Sequence, residues 1–465
     1  MKRALIPVLA LLAGGIAAYA QVLGPEGLQA ASSAARAVVT VCPETAVGPV
    51  KPMNAANNGP TMVNMRSYKA LRIPFARTHD TALGETYGHQ CIDITKVFPD
   101  FSAPVNAPSS YDFTLTDKVL SDMRAVGTEP FYRLGQSIEH AIKKYGIYPP
   151  KSYKKWARIC EHIIRHYNEG WADGYHWNIR YWEIWNEADL DASGRWQTDP
   201  RTWAGPLEEY YAFYAVAAKH LKKCFPDLKI GGPAFANAGK YGPDFLDDVR
   251  KTGAPMDFFS WHVYQTKPRS VADYARQIRK MLDEKGFTGV ESILNEWNYV
   301  RSWMEPDQYS ARVRPTVKGA AFVGGVMCAC QDAPVDMLMY YDLRPQLTWN
   351  GAYHPFTYDV QPPYWALYYW AELAAYGMQV QTQCPDADIY PCAARSADGK
   401  VRLLLVRYHE DDAYDQPCEV TLSLPDGWTV CRIRLTDSQG MDRPAEGTTL
   451  LMESNALALL EIERQ

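Results

Sequence analysis

From about residue 50 to 376, short runs rich in β-branched and aromatic residues alternate with longer stretches whose apolar positions recur every three or four residues. The first pattern reads as strand and the second as helix, so the alternation predicts βα units around a parallel sheet. Eight strand candidates are present: Pro52–Asn57, Ala70–Thr78, Thr128–Leu134, Tyr181–Asn186, Lys229–Ala234, Asp257–His262, Ser292–Asn295 and Asp336–Tyr341. Between them lie helical candidates such as Asp117–Val126, Lys151–Tyr167, Leu207–Cys224, Val271–Lys285 and Val317–Cys330. Eight units predict a (β/α)8 TIM barrel. A doubly wound open sheet is the alternative, but no Gly-rich phosphate fingerprint follows the first strand.

After residue 376 the pattern becomes alternating strands, Val401–Tyr408, Cys418–Leu424, Thr429–Leu435 and Ala456–Ile462, separated by DGK, PDGW and DSQG turns. This reads as a small antiparallel β-sandwich. Ala37–Val41 is also strand-like and stands ahead of the barrel, where it can pair into the same sandwich and join the two ends. The organisation expected is a signal peptide over 1–20, a catalytic barrel over 46–376 and an accessory sandwich over 377–465, with a strand from 21–45 joined to it.

The signal peptide is read from Lys2 and Arg3, the apolar run Ala4–Ala18 and the small-x-small sequence Ala18-Tyr19-Ala20, with cleavage expected after Ala20. A membrane anchor is disfavoured because the run is shorter than the roughly 20 residues a spanning helix needs. No membrane span is expected after cleavage, and the absence of an Asn-x-Ser/Thr sequon fits a bacterial protein, secreted or periplasmic. Net charge is −5 without long single-sign runs, which argues against nucleic acid as a partner. Ten cysteines in an exported chain permit disulfides, and Cys384 with Cys392, or Cys418 with Cys431, could close small loops. Cys328 and Cys330, in GGVMCAC, read as buried free thiols. No zinc-ligand spacing or HExxH occurs, and no metal is expected.

In a TIM barrel the reacting groups stand at the C-terminal ends of strands. Two ends carry the same pair of residues: Asn186-Glu187 closes the fourth strand candidate and Asn295-Glu296 the seventh. Glycosidic cleavage needs an acid for the leaving oxygen and an opposed carboxylate for the oxocarbenium-like centre, and two facing strand ends can supply them. Each Glu alone could equally cap a helix or pair with an Arg at the rim. Glu183 lies four residues before Glu187, deeper in the barrel, and reads as the partner of an Arg such as Arg72 or Arg77 in a buried ion pair.

These features resemble clan A of the glycoside hydrolases, and NNGP at Asn57–Pro60, RTHD at Arg77–Asp80, SWHVY at Ser260–Tyr264 and LNEWN at Leu294–Asn298 resemble family 39 within it, the family of β-xylosidases and α-L-iduronidases. The resemblance runs from about residue 50 to 350. It implies a barrel with an accessory sandwich, retaining double displacement, and neither metal nor organic cofactor. It assigns Glu187 as acid/base, Glu296 as nucleophile and Asn186 as the hydrogen-bond partner of the sugar 2-hydroxyl. It places His262 and Tyr264 near the nucleophile, with Tyr264 able to donate to Glu296, and His79 facing the sugar on the non-reducing side of the cut bond. Trp297 is expected to wall the pocket and Trp349 to stack on the sugar. The segment Tyr340–Pro345 does not map onto a xylosidase or an iduronidase, so the sugar stays open. Were it to carry a carboxylate, Arg344 or Lys267 would be natural partners.

The reading is a secreted, retaining, exo-acting glycosidase, β-xylosidase-like, with an oligosaccharide or glycoside as substrate. An endo-acting hydrolase of an exopolysaccharide and a non-catalytic carbohydrate-binding protein on the same fold are the alternatives. No GxSxG elbow supports a serine hydrolase.

Overall fold

A computed structural model describes residues 35–79, 91–304 and 308–465. The expected signal peptide and Asp80 of the RTHD segment lie outside the described residues. The first strand, β1 (Ala35–Pro49), is followed by eight strands that close into a barrel: β2 (Ala55–Asn57), β3 (Phe75–Thr78), β4 (Glu129–Leu134), β5 (Tyr181–Ile184), β6 (Lys229–Phe235), β7 (Phe258–Gln265), β8 (Glu291–Tyr299) and β9 (Met337–Tyr340). All neighbours pair in parallel, β2 with β9 included. β2 is shorter than the candidate Pro52–Asn57, and Pro52 has no N–H to give a ladder. β8 is longer than Ser292–Asn295, so Glu296 stands inside the strand.

Side-chain alternation along these strands builds the barrel in layers. Ala55, Phe131, Tyr181, Phe258, Ile293 and Met339 form an apolar plug in the barrel. Two residues further along five of these strands come Asn57, Arg133, Glu183, Ser260 and Asn295, all buried, and Arg77 stands two beyond Phe75. The plug is therefore roofed by polar groups, which must find partners among themselves. Residues of the other parity, such as Tyr132, Trp182 and Leu294, pack outward against the helices. These helices include the expected ones at Thr114–Ala125, Tyr153–Glu169, Leu207–Cys224, Pro268–Glu284 and Val317–Gln331. Three more complete the ring: Met65–Ala70, Ala238–Thr252, where Gly242 and Pro243 interrupt the apolar spacing, and Pro362–Ala374.

The remaining strands are β10 (Met378–Gln383), β11 (Ile389–Arg395), β12 (Val401–Arg407), β13 (Cys418–Ser423), β14 (Trp428–Asp437), β15 (Gly440–Ala445), β16 (Thr449–Met452) and β17 (Ala456–Arg464). With β1 they form a nine-stranded sheet in the order β15-β14-β17-β12-β11-β10-β1-β13-β16. β1 lies antiparallel to β10 and parallel to β13, the one parallel pairing of the sheet. Alternation divides its apolar residues: Leu403 and Leu405 of β12 face the sheet's own core, whereas Leu404 and Val406 join the barrel's. The helix Val317–Gln331 lies so close that a Cβ on Gly324 would come within 2.8 Å of Leu457 and 2.9 Å of Val406.

All ten cysteines are free. The sequence-near pairs are kept apart by the fold. Five strands separate β13, which carries Cys418, from β14, which carries Cys431. Cys392 joins the core of the barrel side, while Cys384 packs against the sheet's own core. Cys328 and Cys330 are buried among apolar neighbours in the helix Val317–Gln331.

Candidate active site

Strict alternation would send one member of each Asn-Glu pair out of the barrel, yet all four side chains point inward. At the end of β5 the backbone does this with positive φ at Trp185 (75°) and Glu187 (49°), sparsely populated for residues with a Cβ. Glu187 is held there by its N–H to the Ala234 carbonyl (3.0 Å) and by the Thr202 hydroxyl, which donates to its carbonyl (2.7 Å). Gly135, at φ 153°, lets the preceding strand approach, since a Cβ there would lie 2.9 Å from the Trp185 Cα. In β8 a bulge does the same work. Trp261 pairs with Leu294 but His262 with Glu296, so Asn295 is an extra residue and both it and Glu296 face in.

Arg77, fully buried, is the hub on which these ends converge. Its Nε donates to Glu183 (2.7 Å), one terminal nitrogen to Asn57 (3.2 Å) and Glu296 (3.3 Å), and the other to Asn186 (2.7 Å). Burial opposes its charge, but Glu183 and then Glu296 raise its pKa above the ordinary value. Glu183 is thus the partner of Arg77, while Arg72 pairs with Glu372. Glu183 also accepts from the Asn295 amide.

Above this layer stand the two carboxylates. Glu296 accepts from the Tyr264 hydroxyl through Oε1, and its Oε2 lies 4.0 Å from His79 Nε2 and 3.7 Å from His262 Nδ1. Glu187 Oε1 is 2.8 Å from His262 Nδ1. One oxygen of Glu187, one of Glu296 and a ring nitrogen of His262 all lie within 4.8 Å of one another. Burial pushes Glu187 up to about 7, against the charges of Arg77 and Arg201. Burial likewise lifts Glu296 to about 7, with Glu187 adding to the rise and His262, Arg77 and Tyr264 opposing it. The two titrate as a pair. Their direct contacts differ: Glu296 receives a cationic and a phenolic donor, which favour its carboxylate, whereas Glu187 faces an imidazole that burial pushes down to about 4.

Of the expected site residues, His79, Asn186, Glu187, His262, Tyr264 and Glu296 come together here. Asn186 uses its carbonyl on Arg77, and its buried amide nitrogen has no hydrogen-bond partner. Trp349 joins at the rim, with its ring centroid 5.4 Å from Tyr264 and 5.5 Å from Tyr341. Trp297 does not join. The bulge that turns Glu296 inward turns Trp297 outward, where it packs on Tyr340 and Phe322 with no solvent exposure. Arg344 is bound to buried Asp342 (2.9 Å), and exposed Lys267 lies 3.5 Å from Glu410, so both carry a carboxylate already.

Several participants lie outside the expected set. Arg77, expected only as a partner of Glu183, also reaches Glu296 and Asn186, and Asn57 could have been found from strand parity, since both share a face with the apolar plug. Asp189 is buried against the backbone N–H groups of Ala236 (3.1 Å) and Asn237 (2.6 Å), and burial with Glu187 nearby pushes it up to about 7. Trp303, 65% exposed, stands 5.1 Å from the Tyr264 ring. Nothing local in the sequence marks these two. The Glu187–His262–Glu296 group has the spacing of a metal-ligand set, as has Glu161–His220–Cys224 between the helices Tyr153–Glu169 and Leu207–Cys224. At the first, the Arg77 guanidinium already supplies the local positive charge.

The model of glycosyl hydrolases family 39 matches residues 73–357. A β-xylosidase of Caldicellulosiruptor saccharolyticus is 32% identical over 167 residues, 34% of this chain and 32% of that protein. A β-xylosidase of Geobacillus stearothermophilus is 24% identical over 260 residues, 50% and 48% of the two. The chain therefore matches about a third to a half of the length of these curated relatives. Among solved structures, a glucosidase from Croceicoccus marinus superimposes with a TM-score of 0.72 at 19% identity, covering 93% of this chain and 100% of that one. A monomeric β-xylosidase from Caulobacter crescentus does so with 0.67 at 20%, covering 92% and 100%. At such identities the likeness is one of fold.

Proposed function

Because the chain belongs to glycosyl hydrolase family 39, we propose that it is a retaining, exo-acting glycosidase of β-xylosidase-like specificity, with Glu296 as nucleophile and Glu187 as acid/base. The observation that carries the mechanism is the approach of the two carboxylates to within 4.8 Å. Retaining enzymes hold theirs roughly 5–5.5 Å apart, and inverting enzymes need roughly 6.5–9.5 Å to seat a water. The β-xylosidases among the relatives support the choice of sugar.

In the first step Glu296 attacks the anomeric carbon as Glu187 gives its proton to the departing oxygen. The glycosyl ester that forms removes the negative charge of Glu296, so the pKa of Glu187 falls and it becomes a base. It then takes a proton from water as that water attacks the anomeric carbon, and Glu296 leaves as carboxylate. Arg77 and Tyr264 keep Glu296 ionised before attack and receive its charge after release. The free amide N–H of Asn186 suits a sugar hydroxyl beside the reacting carbon. Rate should follow a bell in pH, falling on the acid side as Glu296 is protonated and on the alkaline side as Glu187 loses its proton.

Export belongs to the same reading, supported by the leader-like residues 1–20. N-terminal sequencing of protein recovered from the periplasm or medium should begin at Gln21.

The test is hydrolysis of aryl β-xyloside, β-galactoside, α-L-arabinosides and α-L-iduronide by parent, Glu296→Gln and Glu187→Gln. One glycoside should be cleaved, with loss to background in Glu296→Gln and about 10²–10⁴-fold in Glu187→Gln. Proton NMR of the first-formed sugar should give the anomer of the substrate. The opposite anomer would remove the retaining mechanism, and cleavage only of internal bonds in oligosaccharides would make the enzyme endo-acting. Equal activity in parent and Glu296→Gln would remove the nucleophile assignment, and a parent that binds sugar without cleaving any would be a carbohydrate-binding protein.

A further inference from the structure

The helices Tyr153–Glu169 and Leu207–Cys224 run side by side on the outside of the barrel. In their first halves the contact is apolar, with Trp156 packed edge-on against Phe213 at a ring-centroid distance of 4.6 Å. Farther along it turns polar. Glu161 Oε2 lies 2.7 Å from His220 Nε2, and that same nitrogen lies 3.8 Å from the Cys224 sulfur. His220 and Cys224 are four residues apart at the end of their helix, so they share one face, and that face is turned to Glu161. The carboxylate oxygen, the ring nitrogen and the sulfur all lie within 4.8 Å of one another. Glu161 is 59 positions from His220, which is why no ligand spacing shows in the sequence.

The three groups can be reached from solvent. The side chains of Glu161 and His220 keep 15% and 30% of their surface exposed, and half-buried Cys224 is in no disulfide. A tetrahedral zinc ion, with bonds of about 2.1 Å to N and O and about 2.3 Å to S, sets its ligand atoms about 3.4–3.6 Å apart. The observed 2.7 Å and 3.8 Å bracket that spacing, so small side-chain rotations would seat the ion. The charges balance as well. Arg165 donates to the other oxygen of Glu161 (2.9 Å) and also pairs with Glu169, which leaves Glu161 Oε2 for an ion. Glu161, Glu169 and a Cys224 thiolate then set three negative charges against Arg165 and a divalent cation. Lys223 is exposed, where water and salt screen it. Cys224 also ends its helix, and the last carbonyls of a helix favour a cation. A thiolate and an imidazole disfavour Mg²⁺ and Ca²⁺, which take oxygen ligands, and the carboxylate disfavours Cu⁺.

We propose that Glu161, His220 and Cys224 form a zinc-binding site that clamps the two helices, with the fourth position of the ion open to water. On binding, the Cys224 sulfur gives its proton to solvent and forms the Zn–S bond, His220 binds through neutral Nε2 and Glu161 through Oε2, and no electron moves. The proposal stands apart from the glycosidase reading. The Glu187–His262–Glu296 group differs in the placing of its cation: fully buried Arg77 donates to Glu296 Oε2, the oxygen nearer His262, whereas Arg165 takes the oxygen of Glu161 that an ion would not need.

In the experiment, purified protein is stripped with a chelator and titrated with Co²⁺, which takes the place of zinc and reports a bound thiolate by a sulfur-to-cobalt charge-transfer absorption. The parent should show this band, saturating at one equivalent and bleached by Zn²⁺. Cys224→Ser should lose it. His220→Gln should bind Co²⁺ at least about tenfold more weakly, since loss even of a ligand's hydrogen-bond partner costs that much. Glu187→Gln, which dismantles the other carboxylate–imidazole group, should titrate like the parent. A second readout compares each protein with itself, so that a variant of lower stability still reports: Zn²⁺ should raise the urea midpoint of the parent and leave that of Cys224→Ser in place. No band in the parent, a band unchanged in Cys224→Ser or lost in Glu187→Gln, or an equal rise in midpoint in parent and Cys224→Ser overturns the proposal.

Discussion

The fourth and seventh barrel strands end on the same dipeptide, and the structure treats the two copies differently. At Asn186-Glu187 the chain leaves the strand through left-handed residues. At Asn295-Glu296 the strand continues and absorbs one extra residue in a bulge. Both devices turn adjacent side chains inward, but they put them at different depths. Asn186 is shared with Arg77 and keeps a free amide, whereas Asn295 reaches down to Glu183. Glu296 receives Arg77 and Tyr264 directly, whereas Glu187 faces neutral His262 and accepts no hydrogen bond from a cation. A two-residue motif therefore does not carry a role. The surroundings of each copy come from what other strands aim at it: Glu296 is given a cationic and a phenolic donor, Glu187 an imidazole.

Arg77 is what the two ends share, so its removal is the most severe way to break the comparison. Arg77→Met leaves Glu183 and Glu296 buried without their cation. It should cost about 3–5 kcal/mol in urea unfolding at pH 7 and abolish turnover. Trp297→Ala separates packing from catalysis by its effect on KM. Truncating this core ring should destabilise by about 3–5 kcal/mol while KM of the surviving folded protein stays near the parent's. Tyr264→Phe attacks the asymmetry itself. Losing a donor to a carboxylate, about 1.5–3 kcal/mol, should push the acid limb of the kcat/KM profile to higher pH and leave the alkaline limb less moved. A shift of the alkaline limb alone would reverse the roles of the two Glu residues.

The raised carboxylates also tie stability to pH. Glu296 goes from 4.5 in its ordinary state to about 7 when buried, so the folded chain binds its proton more tightly than the unfolded chain. Its contribution is fully present below pH 4.5 and is lost as pH rises through 7. Glu296→Gln should therefore gain stability relative to the parent across that window, read as a growing difference in urea midpoint. The smallest effect is at the rim. Trp349→Ala should weaken binding of the transferred sugar by about 0.5–1.5 kcal/mol, seen in KM rather than kcat.

Most of the barrel was legible because burial imposes a period that the chain cannot hide. Leu207–Cys224 matches the helix residue for residue, and the candidate Lys229–Ala234 differs from its strand by one residue. Legibility failed where local chemistry and tertiary environment disagree. The helix Ala238–Thr252 contains Gly242 and Pro243, and it forms because packing of Phe245, Leu246 and Val249 outweighs propensity. The Cys418–Cys431 spacing suggested a short loop, but these residues sit on strands that never neighbour each other. In the site, the two Glu residues were visible as a repeated motif at strand ends. Asp189 was not, because an aspartate after a strand end is ordinary until the N–H groups of Ala236 and Asn237 are seen to close on it.

The order of apolar and polar residues was enough to specify eight βα units and a following set of strands, since each depends on periodicity within a few residues. Which way Trp297 faces, which arginine holds Glu183, and which of two identical dipeptides receives the donors of Arg77 and Tyr264 depended on groups far apart in the chain. Arg77 and Glu296 are separated by 219 positions and meet at 3.3 Å. Electrostatic energy follows that distance through space, and no period along the chain records it.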